Sequence, residues 1–115
     1  MTIQEVKEIL DATVYCCANK MDHEIHTACG SDLMSDVLAF AKDQPVLLSG
    51  MMNPQVVRTA EMMDIECIVF VRNKQPDEIT IEMAKEKEIC LLATKHHMFT
   101  ACGLLYENGL RGGVE

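Results

Sequence analysis

The sequence predicts an α/β domain: three layers, with a mostly parallel sheet and helices on both faces. The first observation behind this is a recurring apolar run, seen at Pro45 to Gly50 (PVLLSG), Glu66 to Val71 (ECIVFV) and Ile89 to Thr94 (ICLLAT). The second is that each run is followed by an amphipathic helix pattern, beginning near Pro54, Pro76 and His97. Strands that read as continuous Val, Ile and Leu are covered on both faces, and a helix between successive strands makes parallel crossovers the economical connection.

At the N-terminus, Thr2 and Glu5 fit a capping box, and Ile3, Val6 and Leu10 recur on one helical face, so a helix is expected over Thr2 to Leu10. Thr13 to Ala18 (TVYCCA) reads as a strand and the polar stretch Asn19 to Glu24 as a loop. Ile25 to Cys29 is expected to be a short edge strand, the place for one antiparallel pairing in the sheet. A second helix is expected from Ser31 to about Lys42, capped by Ser31 or Asp32, with Leu33, Val37, Phe40 and Ala41 as its apolar stripe.

Asn53 before Pro54 is a helix start: Asn accepts from free amides, and Pro at the first helical position loses no needed donor. Val56, Val57, Ala60 and Met63 supply the buried face of that helix. After the middle strand, Pro76, Asp77 and Glu78 open a helix that closes on Lys85 and Lys87, a polarity that suits the helix dipole, with Ile79, Met83 and Ala84 facing the sheet. In the last unit Met98, Ala101, Cys102 and Leu105 form the stripe, and Asn108 with Gly109 give a left-handed stop. Residues 1–110 are thus expected to form a single domain and residues 111–115 a frayed tail.

The 115 residues can bury one core. The net charge is -8 and the basic residues are scattered singly, so no basic stripe exists to neutralise a nucleic-acid backbone. No stretch approaches the roughly 20 apolar residues a membrane span needs, and MTIQEVKEIL lacks the pattern of a signal peptide. Neither nucleic acid nor membrane is an expected partner, and the expected location is cytoplasmic. Six cysteines in a chain without an export signal read as reduced thiols acting as small hydrophobes. Nine methionines beside five aromatic residues give an adaptable apolar core that extends into an interface, and a homodimer is expected.

Ligands of open α/β sheets bind beyond the carboxyl ends of the strands, here Ser49 to Asn53, Arg72 to Lys74 and Thr94 to His97. Ser49, Asn53 and Thr94 offer hydrogen bonds, Arg72 and Lys95 offer charge, and helix-start amides add to the field for an anion. Gly50 lacks the companions of a dinucleotide loop, and no Gly-rich segment is followed by Lys-Ser or Lys-Thr, which disfavours ATP hydrolysis through a phosphate loop. Cys102 shares a helix with His97 but lies on the apolar stripe, a packing position rather than a nucleophile's. Cys16, Cys17, His23, His26, Cys29, His96 and His97 are metal-ligand types, yet no true C-x-x-C pair occurs, so no metal site and no cofactor are expected.

Taken together, GSDLMSDVLAFAK from Gly30, PVLLSGMMNPQVVRTAEMMDIECIVFV from Pro45, the Pro76-Asp77-Glu78 helix start and ICLLATKHHMFTACGLLYENG from Ile89 resemble the DRTGG domain family over roughly Thr2 to Gly109. The most specific parts are Gly30-Ser31-Asp32-Leu33 with Ser35, and Leu91 to Cys102. Such domains occur alone or beside paired CBS domains in regulatory pyrophosphatases, and their fold is similar to the N-terminal domain of HPr kinase/phosphorylase, which carries no kinase loop. Where relatives commonly end the middle strand with Thr-Gly-Gly, this chain has Val71, Arg72, Asn73 and Lys74, which changes any contact that needed close backbone approach. The resemblance implies a non-enzymatic regulatory module, sensing a small anionic or nucleotide ligand and working with a protein partner. Its expected pocket is lined by Ser31, Ser35, Ser49, Asn53, Arg72, Thr94 and His97. A second reading, motivated by the association of stand-alone relatives with hydrogenase and electron-transfer genes, is a redox or metal sensor built on the Cys/His set around Cys16 to Cys29.

Overall fold

A computed structural model describes residues 1–113 of the chain. Eight-residue α1 (Ile3–Leu10) opens on the expected capping box: Glu5 N–H donates to Thr2 Oγ1 at 3.1 Å, and Thr2 N–H donates to the Glu5 carboxylate at 3.0 Å. Then follow β1 (Thr13–Cys16), a 3₁₀ turn at Ala18–Lys20, β2 (Thr27–Gly30), α2 (Met34–Phe40), β3 (Pro45–Ser49), α3 (Pro54–Met62), β4 (Cys67–Phe70), α4 (Glu78–Glu86), β5 (Cys90–Ala93) and α5 (Met98–Glu107).

The five strands form one sheet in the order β1-β5-β4-β3-β2. Strands β2 to β5 are parallel neighbours, and only β1 runs against its neighbour, β5. The single antiparallel edge is therefore β1, not the Ile25 region. Thr27 through α2 to Ser49 is itself a strand–helix–strand unit, and a crossover helix brings the next strand back parallel. No such helix links β1 to β5, which leaves β1 free to run the other way.

Every residue of β3, β4 and β5 is buried, as continuous apolar runs require. Alternation then sorts them: Val46, Leu48, Cys67, Val69, Cys90 and Leu92 pack with α1 and α5, while Leu47, Ile68, Phe70, Leu91 and Ala93 pack with α2, α3 and α4. The result is three layers, with α1 and α5 on one face and α2, α3 and α4 on the other.

Two helix stripes differ from expectation. α2 begins at Met34 rather than Ser31, so Met34, Val37 and Ala41 turn inward, while Leu33 and Phe40 are 59% and 61% exposed. In α4 the buried positions are Thr80 and Ala84, and Ile79 is 68% exposed. The start at Asp77, whose carboxylate accepts from Thr80 N–H at 2.8 Å, sets that frame. The tail also differs: Leu110 is buried, and Arg111 bridges Thr27 and accepts from Ala28 N–H, which covers part of the open edge of β2. Residues 114–115 of the expected frayed tail lie outside the described residues.

Candidate functional site

The connection after β4 leads to α4 on one face and that after β5 leads to α5 on the other, so the switch of direction in the sheet lies between β4 and β5. Two turns meet there. Arg72 N–H donates to His96 carbonyl at 2.8 Å and Asn73 N–H to Thr94 carbonyl at 3.0 Å, which ties the Arg72–Lys74 turn to the Thr94–His97 loop. Together they carry Arg72, Lys74, Lys95, His96 and His97 without an acidic residue, on a chain of net charge -8. Among the described residues neither Arg72, Lys74 nor Lys95 makes an ion pair. Exposed cations gathered at a strand end attract anions.

The turn holds an uncommon backbone. Arg72 and Asn73 are consecutive residues in the left-handed region, at φ 63° and 59°. An L-residue there costs about 1–2 kcal/mol, less for Asn, and Gly avoids the clash. The Arg72 side chain reaches over the neighbouring strand's turn, its guanidinium lying against Gly50.

On β3 the turn is organised by a residue the sequence marks only as a possible helix cap. Asp32 Oδ1 accepts from Gly50 N–H at 2.6 Å and from Ser49 Oγ at 3.2 Å, which clasps the end of β2 to the end of β3. A carboxylate accepting a backbone amide at a strand end is a strong, charge-assisted bond. No local signal points to it, because its partners are 17 and 18 residues away in the chain.

The seven expected site residues divide into two groups. Ser49 is fully buried between Asp32 and Met51 N–H, and buried Thr94 donates to Leu10 carbonyl at 2.7 Å while accepting from His96 N–H. Ser31 accepts from Leu33 N–H at 3.0 Å, and Asn53 caps α3 by accepting from Gln55 N–H at 3.0 Å. These four hold the strand ends in place. Ser35 is exposed in the first turn of α2, and only Arg72 and His97 combine exposure with a place at the switch of direction. His97 caps α5 through its backbone, its side chain making no cap bond, so amides of the first turn of α5 remain open.

The cysteine and histidine set is dispersed. Nδ1 of His23 faces Glu66 at 3.1 Å and that of His26 faces Asp43 at 3.6 Å. Burial, with the neighbouring Cys17, pushes the Cys16 thiol up to about 12, and burial also raises Cys29 and Cys102. Cys67 lies beside Cys90 in the sheet register, and that neighbouring thiol together with full burial holds it well above the ordinary thiol range. Such thiols are poor nucleophiles and poor metal ligands. Among the described residues no three His, Cys, Asp or Glu side chains gather to hold a metal ion. The redox or metal reading finds no support in this arrangement.

The family model of the DRTGG domain matches residues 5–107. The chain belongs to the DRTGG domain family. A crystal structure of the CBS and DRTGG domains of the regulatory region of Clostridium perfringens pyrophosphatase, complexed with the activator diadenosine tetraphosphate, shares this fold at a TM-score of 0.75 and 15% identity. The likeness covers 90% of this chain and 45% of that one, so this DRTGG domain spans less than half the length of its structural neighbour. No curated protein matches it. In this DRTGG domain the turn after β4 holds two consecutive left-handed residues, Arg72 and Asn73, the first of which carries a cationic side chain. Among its described residues no helix is long and apolar enough to cross a membrane.

Proposed function

We propose that this DRTGG domain is a non-enzymatic regulatory module of the cytoplasm that senses a small phosphate-bearing anion, a nucleotide included, at the paired turns Arg72–Lys74 and Thr94–His97. The observation that carries this reading is the cationic cluster on two hydrogen-bonded loops of an acidic chain, at the switch between β4 and β5. Arg72 supplies a planar fork for phosphate oxygens, Lys74 and Lys95 supply point charges, and the first-turn amides of α5 add donors. Ser49, Asp32 and Thr94 position the site from behind. The nucleotide complex of the pyrophosphatase regulatory region supports the ligand class. The domain works as a homodimer and passes its bound state to a protein partner in a regulatory system.

A thermal-shift screen of nucleotides and small anions tests the reading, because whatever binds only the folded state raises its melting temperature. Stabilisation by pyrophosphate or a nucleotide, and not by chloride at equal ionic strength, is expected. A flat response across the screen would remove the sensing role.

A further inference from the structure

The sheet has two edges, and the chain treats them differently. An open edge offers a row of free N–H and C=O groups to any extended backbone, and folded chains blunt it with a charge, a proline, a bulge or a covering loop. β1 is broken by a bulge between Val14 and Cys16. β2 has no charge, no proline and no bulge, and its four residues pair in unbroken register with β3 on the other side. What covers it is the segment 110–113, which crosses the edge as a strap.

The strap is held at its start and loose at its end. Leu110 is buried in the core, and Arg111 lies 3.7 Å over the Tyr106 ring while its Nη1 donates to the Tyr106 carbonyl at 2.7 Å and to the Leu110 carbonyl at 3.2 Å. So anchored, the Arg111 carbonyl accepts from Ala28 N–H at 2.9 Å, in parallel register with Thr27. Two glycines follow. Glycine is a weak strand former, and Gly113, at φ 90°, has turned aside against Thr27 and Lys42. Successive residues of a strand direct their backbone groups to opposite edges. Ser31 N–H donates inward to Leu48, so Gly30 faces outward as Ala28 does. Among the described residues its N–H has no partner. A cleft of about 260 Å³ lies there instead, between Gly30, Cys102, Tyr106 and Arg111.

We propose that the strap is a displaceable guard, and that the edge from Ala28 to Gly30 takes an extended segment of a partner protein as a sixth strand, parallel to β2. The strap itself shows the chemistry of that occupant. Its backbone runs parallel to β2, one apolar residue enters the core and the next side chain lies on Tyr106. A partner segment that repeats those two residues, with β-branched residues in place of the glycines, makes the same contacts and continues to Gly30. A second copy of β2, Thr27 to Gly30, offers no apolar anchor of that size.

This inference gives a surface to the protein partner named above and does not depend on the anion turns, which lie two strands away. Amide exchange of the full chain, followed residue by residue by NMR, tests it. In wild type Ala28 N–H is expected to be protected and Gly30 N–H open. Leu110→Ser with Arg111→Ala releases the strap and should speed exchange at Ala28 at least about tenfold, with Val69 at the centre of the sheet unchanged. The probe is a synthetic peptide of residues 108–113 carrying Gly112→Val and Gly113→Val. It should slow exchange at both Ala28 and Gly30 in the released chain, and bind wild type at least about tenfold more weakly because the tethered strap competes. Arg111→Ala alone, which keeps Leu110 in the core, repeats the comparison if the double variant does not fold. A peptide that protects neither amide, or that binds wild type and released chain alike, would overturn the proposal. So would protection of Gly30 that rises with protein concentration in the absence of peptide, which would give the edge to a second copy. Pyrophosphate binding to the released chain, read by calorimetry, tells failure of the anion site from failure of this edge.

Discussion

The guanidinium of Arg72 occupies the space beside Gly50: a Cβ on that glycine would fall 2.7 Å from Nη2 and 3.1 Å from Nε. Gly50 is thus small because a cation from the next strand lies over it, while its own amide is held by Asp32. Gly50→Ala displaces only the far end of a flexible, exposed side chain. The expected stability change is under about 1 kcal/mol, by urea unfolding, with a severalfold shift in anion affinity as the guanidinium swings away. A loss of several kcal/mol would show that the turn, not the side chain, is what the glycine protects.

Arg72→Gly separates strain from function. Relief of the left-handed arginine, set against the entropy of an added glycine, is expected to raise stability by about 0.5–1 kcal/mol. The same change removes the fork from the cationic cluster and should weaken phosphate binding roughly tenfold. Asn tolerates this conformation better, so Asn73→Gly should gain less.

One buried hydroxyl on α3 and one on α4 stand apart. Thr59 Oγ1 and Thr80 Oγ1 are both buried without a hydrogen-bond partner among the described residues. Thr59→Val or Thr80→Val keeps the shape and removes the desolvated group, with an expected gain of about 1 kcal/mol each, measured by chemical denaturation.

Glu66 sets part of the acid response. Its carboxylate is held below its ordinary value of 4.5, first by the hydrogen bond from His23 and also by Lys20 at 3.7 Å. A carboxylate lowered on folding adds stability above its unfolded value and loses it as pH falls through the folded one. The wild type should therefore lose stability below about pH 4.5 more steeply than Glu66→Gln, as followed by melting temperature against pH. Because the group is partly exposed, the difference should shrink in high salt.

The parts of the fold governed by neighbours in sequence were legible. The buried runs at Pro45, Glu66 and Ile89 became β3, β4 and β5, and the caps at Thr2 and Asn53 formed as their spacing implies, since each depends on residues a few positions apart. What depends on distant pairing was not. β1 takes the antiparallel place because its partner is β5, and α2 starts at Met34 rather than Ser31, with Asp32 outside the helix clasping Gly50. The rim reads the same way. Thr94 looks like a free hydroxyl in sequence, but it donates to Leu10 carbonyl, 84 residues away. Arg72 was legible as a charge, while its reach over Gly50 was not.

The central claim is that the Arg72–Lys74 and Thr94–His97 turns form an anion site. Isothermal titration of inorganic pyrophosphate and of ATP into wild type and into an Arg72→Gln/Lys95→Gln variant tests it most directly. Saturable binding to wild type that weakens with salt, and falls at least about tenfold in the variant, is the expected result. Equal affinity in both proteins, or no heat of binding to wild type from either compound, would contradict it.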